Sequence, residues 1–182
     1  MALYTAGDVT GWVKIGSTTI SSNADPVEIE HGWDSTYDVY KLYVSNLRGT
    51  SDGQSVKLQL KSAGSYDEGD NYHYQHSRYS GSGISSSGAI DTDFIVLHQN
   101  QGVDGAGEST NLEFTFHNPD DTTYTKHVSW IGSQAEQSAS RGEGIIGGGG
   151  TTVGVGAITG FRFKMGSGSI ASAQFTSYGL IK

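Results

Sequence analysis

Residues 158–165 read Ile-Thr-Gly-Phe-Arg-Phe-Lys-Met, so that apolar and polar side chains alternate along them. The next four residues, Gly166-Ser167-Gly168-Ser169, are turn formers, and the alternation resumes with Ala171, Ala173 and Phe175. A period of two is typical of a strand with one buried and one solvated face. This stretch therefore predicts a β-hairpin close to the end of the chain.

The same alternation recurs through the rest of the sequence. Strands are predicted at residues 12–20, 37–44, 56–61, 71–79, 93–98, 112–117 and 124–130. Between the last two, Asn118-Pro119-Asp120-Asp121 predicts a tight turn and hence a second hairpin, across which His117 and His127 would face each other. The best helix signal is the capping-box pattern Ser133-Gln134-Ala135-Glu136, but no apolar run follows it.

Consecutive strands separated by turns are typical of an antiparallel all-β fold. We predict a single jelly-roll-like β-sandwich domain over residues 1–182. The Gly/Ser-rich segments 79–88 and 138–152 are predicted to be loops that are mobile or held by a partner.

Composition narrows the functional classes. Acidic residues outnumber basic ones by 19 to 11, giving a net charge of −8, and there is no Lys/Arg run, so we expect no nucleic-acid binding. No apolar stretch approaches the roughly 20 residues of a membrane span, and the start of the sequence has no secretory signal pattern. The absence of cysteine excludes disulfides, thiolate metal sites and cysteine nucleophiles.

Candidate metal and catalytic groups are weak. The run Asp67-Glu68-Gly69-Asp70-Asn71 offers oxygen ligands without the spacing of a calcium loop and is better interpreted as a solvated acidic turn. His73 and His76, three apart on a strand, would point to opposite faces, which does not suit a metal site. Nothing singles out a carboxylate pair such as Asp93 and Glu113 for glycoside hydrolysis. We predict neither an enzyme nor a bound metal or cofactor.

Tyrosines are the most suggestive side chains. Seven lie within about forty positions, and a phenol ring with a polar tip suits both subunit interfaces and sugar stacking. Core packing or a subunit interface accounts for these tyrosines better than a ligand surface does. The candidate interface or glycan contacts are Tyr66, Tyr72, Tyr74 and Tyr79.

Several segments, in order, resemble a family of small virion structural proteins of tailed bacteriophages. They are Trp33-Asp34-Ser35-Thr36-Tyr37-Asp38-Val39-Tyr40-Lys41-Leu42, Phe116-His117-Asn118-Pro119, Ile158-Thr159-Gly160-Phe161-Arg162-Phe163, Ser167-Gly168-Ser169-Ile170-Ala171-Ser172 and Tyr178-Gly179-Leu180. The resemblance implies a non-enzymatic β-sandwich on the outer surface of a virion, often trimeric, with no catalytic residues to transfer.

Within that family, the length of the chain favours a capsid decoration, or cement, protein. Such a protein would bind the major capsid protein as a homotrimer and stabilise the shell, because it binds the assembled shell and not its parts. The alternative is the receptor-binding tip of a tail or head fibre, which would use its tyrosines on a host surface glycan. A secreted carbohydrate-active enzyme fits less well, because it would need a signal peptide and a carboxylate cleft.

Overall fold

A computed structural model describes residues 11–101, 108–135, 142–151 and 156–181. These residues form thirteen strands and no helix, which confirms the all-β prediction. The strands are β1 (Trp12–Ile20), β2 (Val27–Ile29), β3 (Val39–Gly49), β4 (Gln54–Ser62), β5 (Ser65–Tyr66), β6 (Tyr72–Ser80), β7 (Gly83–Thr92), β8 (Ile95–Gln101), β9 (Thr110–His117), β10 (His127–Ala135), β11 (Gly142–Thr151), β12 (Ile158–Met165) and β13 (Ile170–Leu180).

The strands form two antiparallel sheets that pack face to face. The larger sheet has the order β1-β13-β3-β9-β10-β11-β6-β7, and the smaller has the order β2-β12-β4-β5, with β8 also paired to β4. Strands β1-β13-β3-β9 opposite β2-β12-β4-β8 have the strand order of a jelly roll, so the predicted jelly-roll-like sandwich is confirmed. Strands β10, β11, β6 and β7 lengthen the larger sheet beyond that framework, and we call these four the sheet extension.

The predicted hairpin near the end of the chain is wrong. Strand β12 lies between β2 and β4 in the smaller sheet, whereas β13 lies between β1 and β3 in the larger one. The two strands face the same core from opposite sides, so that the rings of Phe163 and Phe175 lie 5.0 Å apart. Alternation identifies the buried face of a strand but does not identify the sheet that it joins.

An aromatic seam joins the sheets at their centre. It consists of Phe114 and Phe116 on β9, Phe161 and Phe163 on β12, and Trp33 from the β2–β3 connection. Ring centroids of Phe116 and Phe161 lie 4.4 Å apart, and Trp33 contacts both rings edge-on at 5.1 and 4.5 Å. All five side chains are buried, so the seam excludes water from the middle of the sandwich.

The second predicted hairpin is present. Strands β9 and β10 pair antiparallel with Phe116 opposite Val128, and the amide of Asp121 donates to the carbonyl oxygen of Asn118 at 3.1 Å, which closes the predicted turn. Strand β10 begins at His127, three residues later than predicted. Residues 133–135 are the end of this strand, so the capping-box pattern does not start a helix there. Glu136 lies outside the described residues.

The two segments predicted as loops are largely strand. Residues 79–88 form the ends of β6 and β7, which are joined by the two-residue turn Gly81-Ser82, and residues 142–151 form β11; residues 138–141 and 152 lie outside the described part of the chain. Three glycines of β11, Gly147, Gly149 and Gly150, are needed because neighbouring atoms leave no space for a Cβ. A Cβ at Gly147 would lie 2.3 Å from Trp130 Cζ2 and 2.9 Å from the carbonyl oxygen of Gln75.

This close approach predicts a large cost for Gly147→Ala. The added methyl group has no space beside the Trp130 ring and a main-chain oxygen, so we expect a loss of unfolding free energy of about 2–3 kcal/mol. The measurement is urea denaturation of the variant and the unmodified protein.

Gly148→Ala is the matched control, because a Cβ there would have its nearest neighbour at 3.7 Å. We expect it to change the unfolding free energy by less than about 0.5 kcal/mol. Equal costs at the two positions would contradict the explanation given for β11.

Candidate functional site

The four candidate tyrosines do not share a surface. Tyr72 is 0% exposed, and its hydroxyl donates to the carbonyl oxygen of Asp67 at 3.1 Å and accepts from the amide of Leu60 at 2.9 Å, so in this fold it offers no surface to a glycan or a partner. Tyr74 is half-buried, with its ring stacked near His76. Tyr79 is 45% exposed on the outer face of β6.

Tyr66 is half-buried on β5 in the smaller sheet, whereas Tyr79 lies on the larger sheet, and the face of the Tyr66 ring is already covered by another side chain. The Arg162 guanidinium carbon lies 4.0 Å from the ring centroid, and the Tyr66 hydroxyl donates to Glu30 Oε1 at 3.2 Å. Arg162 is itself paired with Glu28 and Glu68 at 3.0 and 2.6 Å. Burial raises the pKa of Tyr66, and the nearby Glu28 and Glu30 carboxylates raise it further. The arrangement holds Tyr66 in place, and sugar stacking would compete with Arg162.

The acidic run forms a closed turn. Asp67 Oδ1 accepts hydrogen bonds from the amide of Gly69 at 3.0 Å and from Asn71 Nδ2 at 2.9 Å. Within the described ranges, no group of three or more His, Asp or Glu side chains is placed to hold a metal ion.

His73 and His76 lie on opposite faces of β6, as their spacing predicts: His76 is buried against the core and His73 lies on the outer face. The ring centroids of His73 and His127 lie 6.0 Å apart, because the residue between them on β11 is Gly150.

A polar cavity of about 220 Å³ lies between the sheet extension and β8. Its lining includes His76 and Arg78 from β6, Ser85 and Ser87 from β7, and His98 from β8. Ser85 pairs with Arg78 and Ser87 pairs with His76, so these four residues lie on the inward face of the β6–β7 hairpin. A polar cavity at this depth is unusual beside a core that is otherwise apolar and aromatic.

A buried carboxylate borders the cavity. The Glu143 side chain is 1% exposed, accepts from Gln134 Nε2 at 2.8 Å, and lies 3.5 Å from Arg78 Nε. A buried carboxylate is tolerated when a cation and hydrogen-bond donors neutralise it. Arg78 and Glu143 therefore leave the cluster with no net charge while both histidines are neutral.

Several polar atoms around the cavity lack good hydrogen bonds. Within the described part of the chain, they are both ring nitrogens of His98, Nδ1 of His76, Oε1 of Gln134 and Oε1 of Glu143. Buried polar atoms nearly always have a partner, in the protein or in solvent. Their concentration in one place indicates that water or a polar ligand completes the network.

Burial strongly disfavours protonation of His98. The side chain is 0% exposed, and burial lowers its pKa to about 3; His76 and, less strongly, Arg78 add repulsion, while the Gln99 backbone and Gln134 raise the pKa by smaller amounts. Burial also lowers the pKa of His76, and Arg78 lowers it further, against a hydrogen bond to the Val96 backbone. Both rings are therefore neutral in the folded protein at neutral pH.

These shifts predict a fold that is weakened by acid. An unfolded histidine takes up a proton below about pH 6.5, whereas folded His98 does so only near pH 3. Between those values the unfolded chain binds more protons, so the unfolding free energy falls as the pH falls, by roughly 1.4 kcal/mol per pH unit for this residue. Urea denaturation at pH 6.0 and 4.5 should show a loss about 2 kcal/mol smaller in His98→Gln than in the unmodified protein.

His117→Gln is the control for this prediction, because His117 is exposed at the end of β9. We expect its pH dependence to match that of the unmodified protein. An unchanged slope in His98→Gln would show that His98 is not the group whose protonation opposes folding.

Part of this site can be recognised from the sequence alone. Alternation predicts that Tyr72, Tyr74, His76 and Arg78 share one face of a strand, and they do. Two polar side chains that continue a buried apolar row are the signal for a polar pocket. The contributions of His98, Gln134 and Glu143 arise from three other strands and carry no such signal.

No protein-family model and no curated protein matches the chain. Among the described residues there is also no helix with the length and apolar character needed to cross a membrane.

Proposed function

We propose that the protein is a structural component of a bacteriophage virion, a decoration protein that binds the outer capsid surface as a homotrimer. The observation that carries the proposal is that the outer face of β9 and the sheet extension carries almost no charge. The resemblance of the segments around Trp33, Phe116 and Phe161 to virion proteins supports it. The jelly roll also supports it, since viral capsid domains use this architecture, although a fold hosts many functions.

At the regularly alternating outward positions of β9 and the sheet extension, the one carboxylate is that of Glu113, which is paired with Lys41 of β3; the exposed Asp91 lies in the bulge at the end of β7. Elsewhere the chain is rich in acidic groups and has a net charge of −8. These outward positions are 111, 113, 115 and 117 on β9, 127, 129, 131 and 133 on β10, 144, 146, 148 and 150 on β11, 73, 75, 77 and 79 on β6, and 84, 86, 88 and 90 on β7. Depletion of charge over so wide a face is typical of a surface that is covered in an assembly.

Apolar side chains stand on this face. Ile131 and Ile146 pair with each other and are 56% and 45% exposed, and Tyr79 pairs with Ile84, which is 70% exposed. Isolated exposed apolar residues are ordinary, but paired ones on a face with almost no charge indicate a contact surface. We call Ile131, Ile146, Tyr79 and Ile84 the assembly patch.

A second copy of the chain is the occupant that fits best. Two molecules of net charge −8 repel each other, and they can approach most closely through faces that carry almost no charge. A patch confined to one half of one sheet also suits a closed ring, in which each copy contacts its neighbours through the same two surfaces.

Placing a carboxylate in the assembly patch should break the trimer. Ile146→Asp would bury an unpaired charge in the interface, so we expect a monomer where the unmodified protein is a trimer. The measurement is multi-angle light scattering after gel filtration at matched protein concentration. Urea denaturation of the variant as a monomer shows whether the fold is retained, as expected for an exposed position.

Tyr124→Asp is the matched control, because Tyr124 is 71% exposed but lies in the β9–β10 connection and not on the sheet face. This variant should remain trimeric. A monomeric unmodified protein, or loss of the trimer in both variants, would refute the assembly patch.

The number of copies of this protein per virion tests whether it lies on the capsid surface or in a fibre. For a decoration protein we expect a ratio to the major capsid protein near stoichiometric, measured by quantitative gel densitometry of purified particles. Particles that lack the protein should then release DNA at a lower temperature, because binding to the assembled shell stabilises it. A few copies per particle would refute decoration and favour a fibre component.

The alternative function, the glycan-binding tip of a tail or head fibre, is favoured by a different observation. The polar cavity is lined by Arg78, Ser87 and His98 and has unpaired polar atoms at its base, as a small-molecule site would. A glycan array without hits would count against this alternative.

A further inference from the structure

We propose that the cavity between the β6–β7 hairpin and β8 is a binding site for a small oxyanion, a phosphate or carboxylate group, held by Arg78, His98 and the two inward serines. This inference is independent of the decoration role, because the cavity opens on the inward side of the sheet extension and the assembly patch lies on its outer face. The oxyanion site can therefore be disproved without affecting the decoration role, and the decoration role can be disproved without affecting the oxyanion site.

The first argument is the unsatisfied base of the cavity. His98 is 0% exposed and both of its ring nitrogens lack a well-formed hydrogen bond among the described residues, although the ring lines the cavity. His76 is 5% exposed, and its Nδ1 also lacks a well-formed hydrogen bond. Burial of these nitrogens without partners costs free energy, which a hydrogen-bonding occupant recovers.

The second argument is the supply of donors. Arg78 lines the cavity, and its ion pair with Glu143 is made through Nε, so the guanidinium group has two further nitrogens that can donate. Ser85 and Ser87 add hydroxyl groups from the opposite strand, and neutral His98 has one N–H to donate. Guanidinium nitrogens with converging hydroxyls form the kind of site that recognises planar carboxylates and phosphates.

The third argument is size. A cavity of about 220 Å³ has room for roughly seven water molecules at about 30 Å³ each, and it falls below the volume typical of sites for drug-sized ligands. One oxyanion group, alone or as the substituent of a sugar ring entering from the Ser85 side, fits this volume. Ser85 is exposed while His98 is fully buried, so the site is open at the hairpin end.

The experiment is isothermal titration of the full chain in a phosphate-free buffer with inorganic phosphate, D-glucuronate and neutral D-glucose. The ¹⁵N resonances of the His76 and His98 rings are recorded in parallel. We expect saturable binding of phosphate or glucuronate with shifts of the His98 resonances, and no binding of glucose. Stronger phosphate binding would identify a free anion as the ligand, and stronger glucuronate binding would identify an acidic sugar.

Two variants test the assignment of residues. Ser87→Val fills the cavity and removes a donor, and Arg78→Lys keeps the charge opposite Glu143 but loses the guanidinium fork. Each should weaken binding by roughly tenfold or more, the effect of losing a hydrogen bond to a charged group. Ser77→Val is the matched control, because Ser77 lies on the outer face of β6, where its hydroxyl pairs with Ser86 Oγ at 2.8 Å, and it does not line the cavity. Binding by this variant should stay within about twofold of that of the unmodified protein.

Absence of saturable binding by phosphate and glucuronate would overturn the proposal and leave a cavity filled by water. Binding of glucose as tight as that of glucuronate would overturn the oxyanion chemistry. Binding that survives both Ser87→Val and Arg78→Lys would overturn the location.

Discussion

Phe116 and Phe161 meet across the sandwich with their ring centroids 4.4 Å apart, and Trp33 closes against both. This contact fixes how β9 of the larger sheet lies over β12 of the smaller one. Since β10, β11, β6 and β7 are added to β9 by hydrogen bonds, their positions over β8 also depend on the seam. Tight aromatic packing tolerates little displacement, so the polar cavity and the assembly patch have a rigid support.

Periodicity predicted the strands well and their partners poorly. β1 and the alternating faces of β6 and β9 match the prediction because a half-buried strand must alternate. The pairing of β12 could not be predicted in the same way, because Phe161 and Phe163 face the core equally well from either sheet. The Gly-rich strand β11 was missed for a different reason. Gly147, Gly149 and Gly150 are required by Trp130, Tyr74 and His127 on neighbouring strands, and a local sequence pattern does not contain those neighbours.

The candidate site shows the same limit. His76 and Arg78 could be placed on the buried face of a strand from sequence, but Tyr72, on that same face, turned out to be enclosed by the Asp67 and Leu60 backbones. Glu143 and Gln134 meet Arg78 only because β10, β11 and β6 are neighbours in the sheet. Long-range pairing creates the cavity, and a single sequence carries no direct record of that pairing.

The sheet extension is the part of this molecule that the jelly-roll framework does not require. Eight framework strands bury the aromatic seam, so β6, β7, β10 and β11 add surface on both of their faces. Their outer face carries almost no charge and presents Ile131 and Ile146, while their inner face places Arg78, paired with Glu143, beside the cavity that His98 lines. A buried ion pair beside histidines whose ring nitrogens lack well-formed hydrogen bonds is poor evidence of added stability. The lowered pKa of His98 makes the fold less stable in acid. A polar cluster that weakens the fold in this way is best explained by what it binds, and the extension therefore carries both proposed contacts of the protein, one on each face.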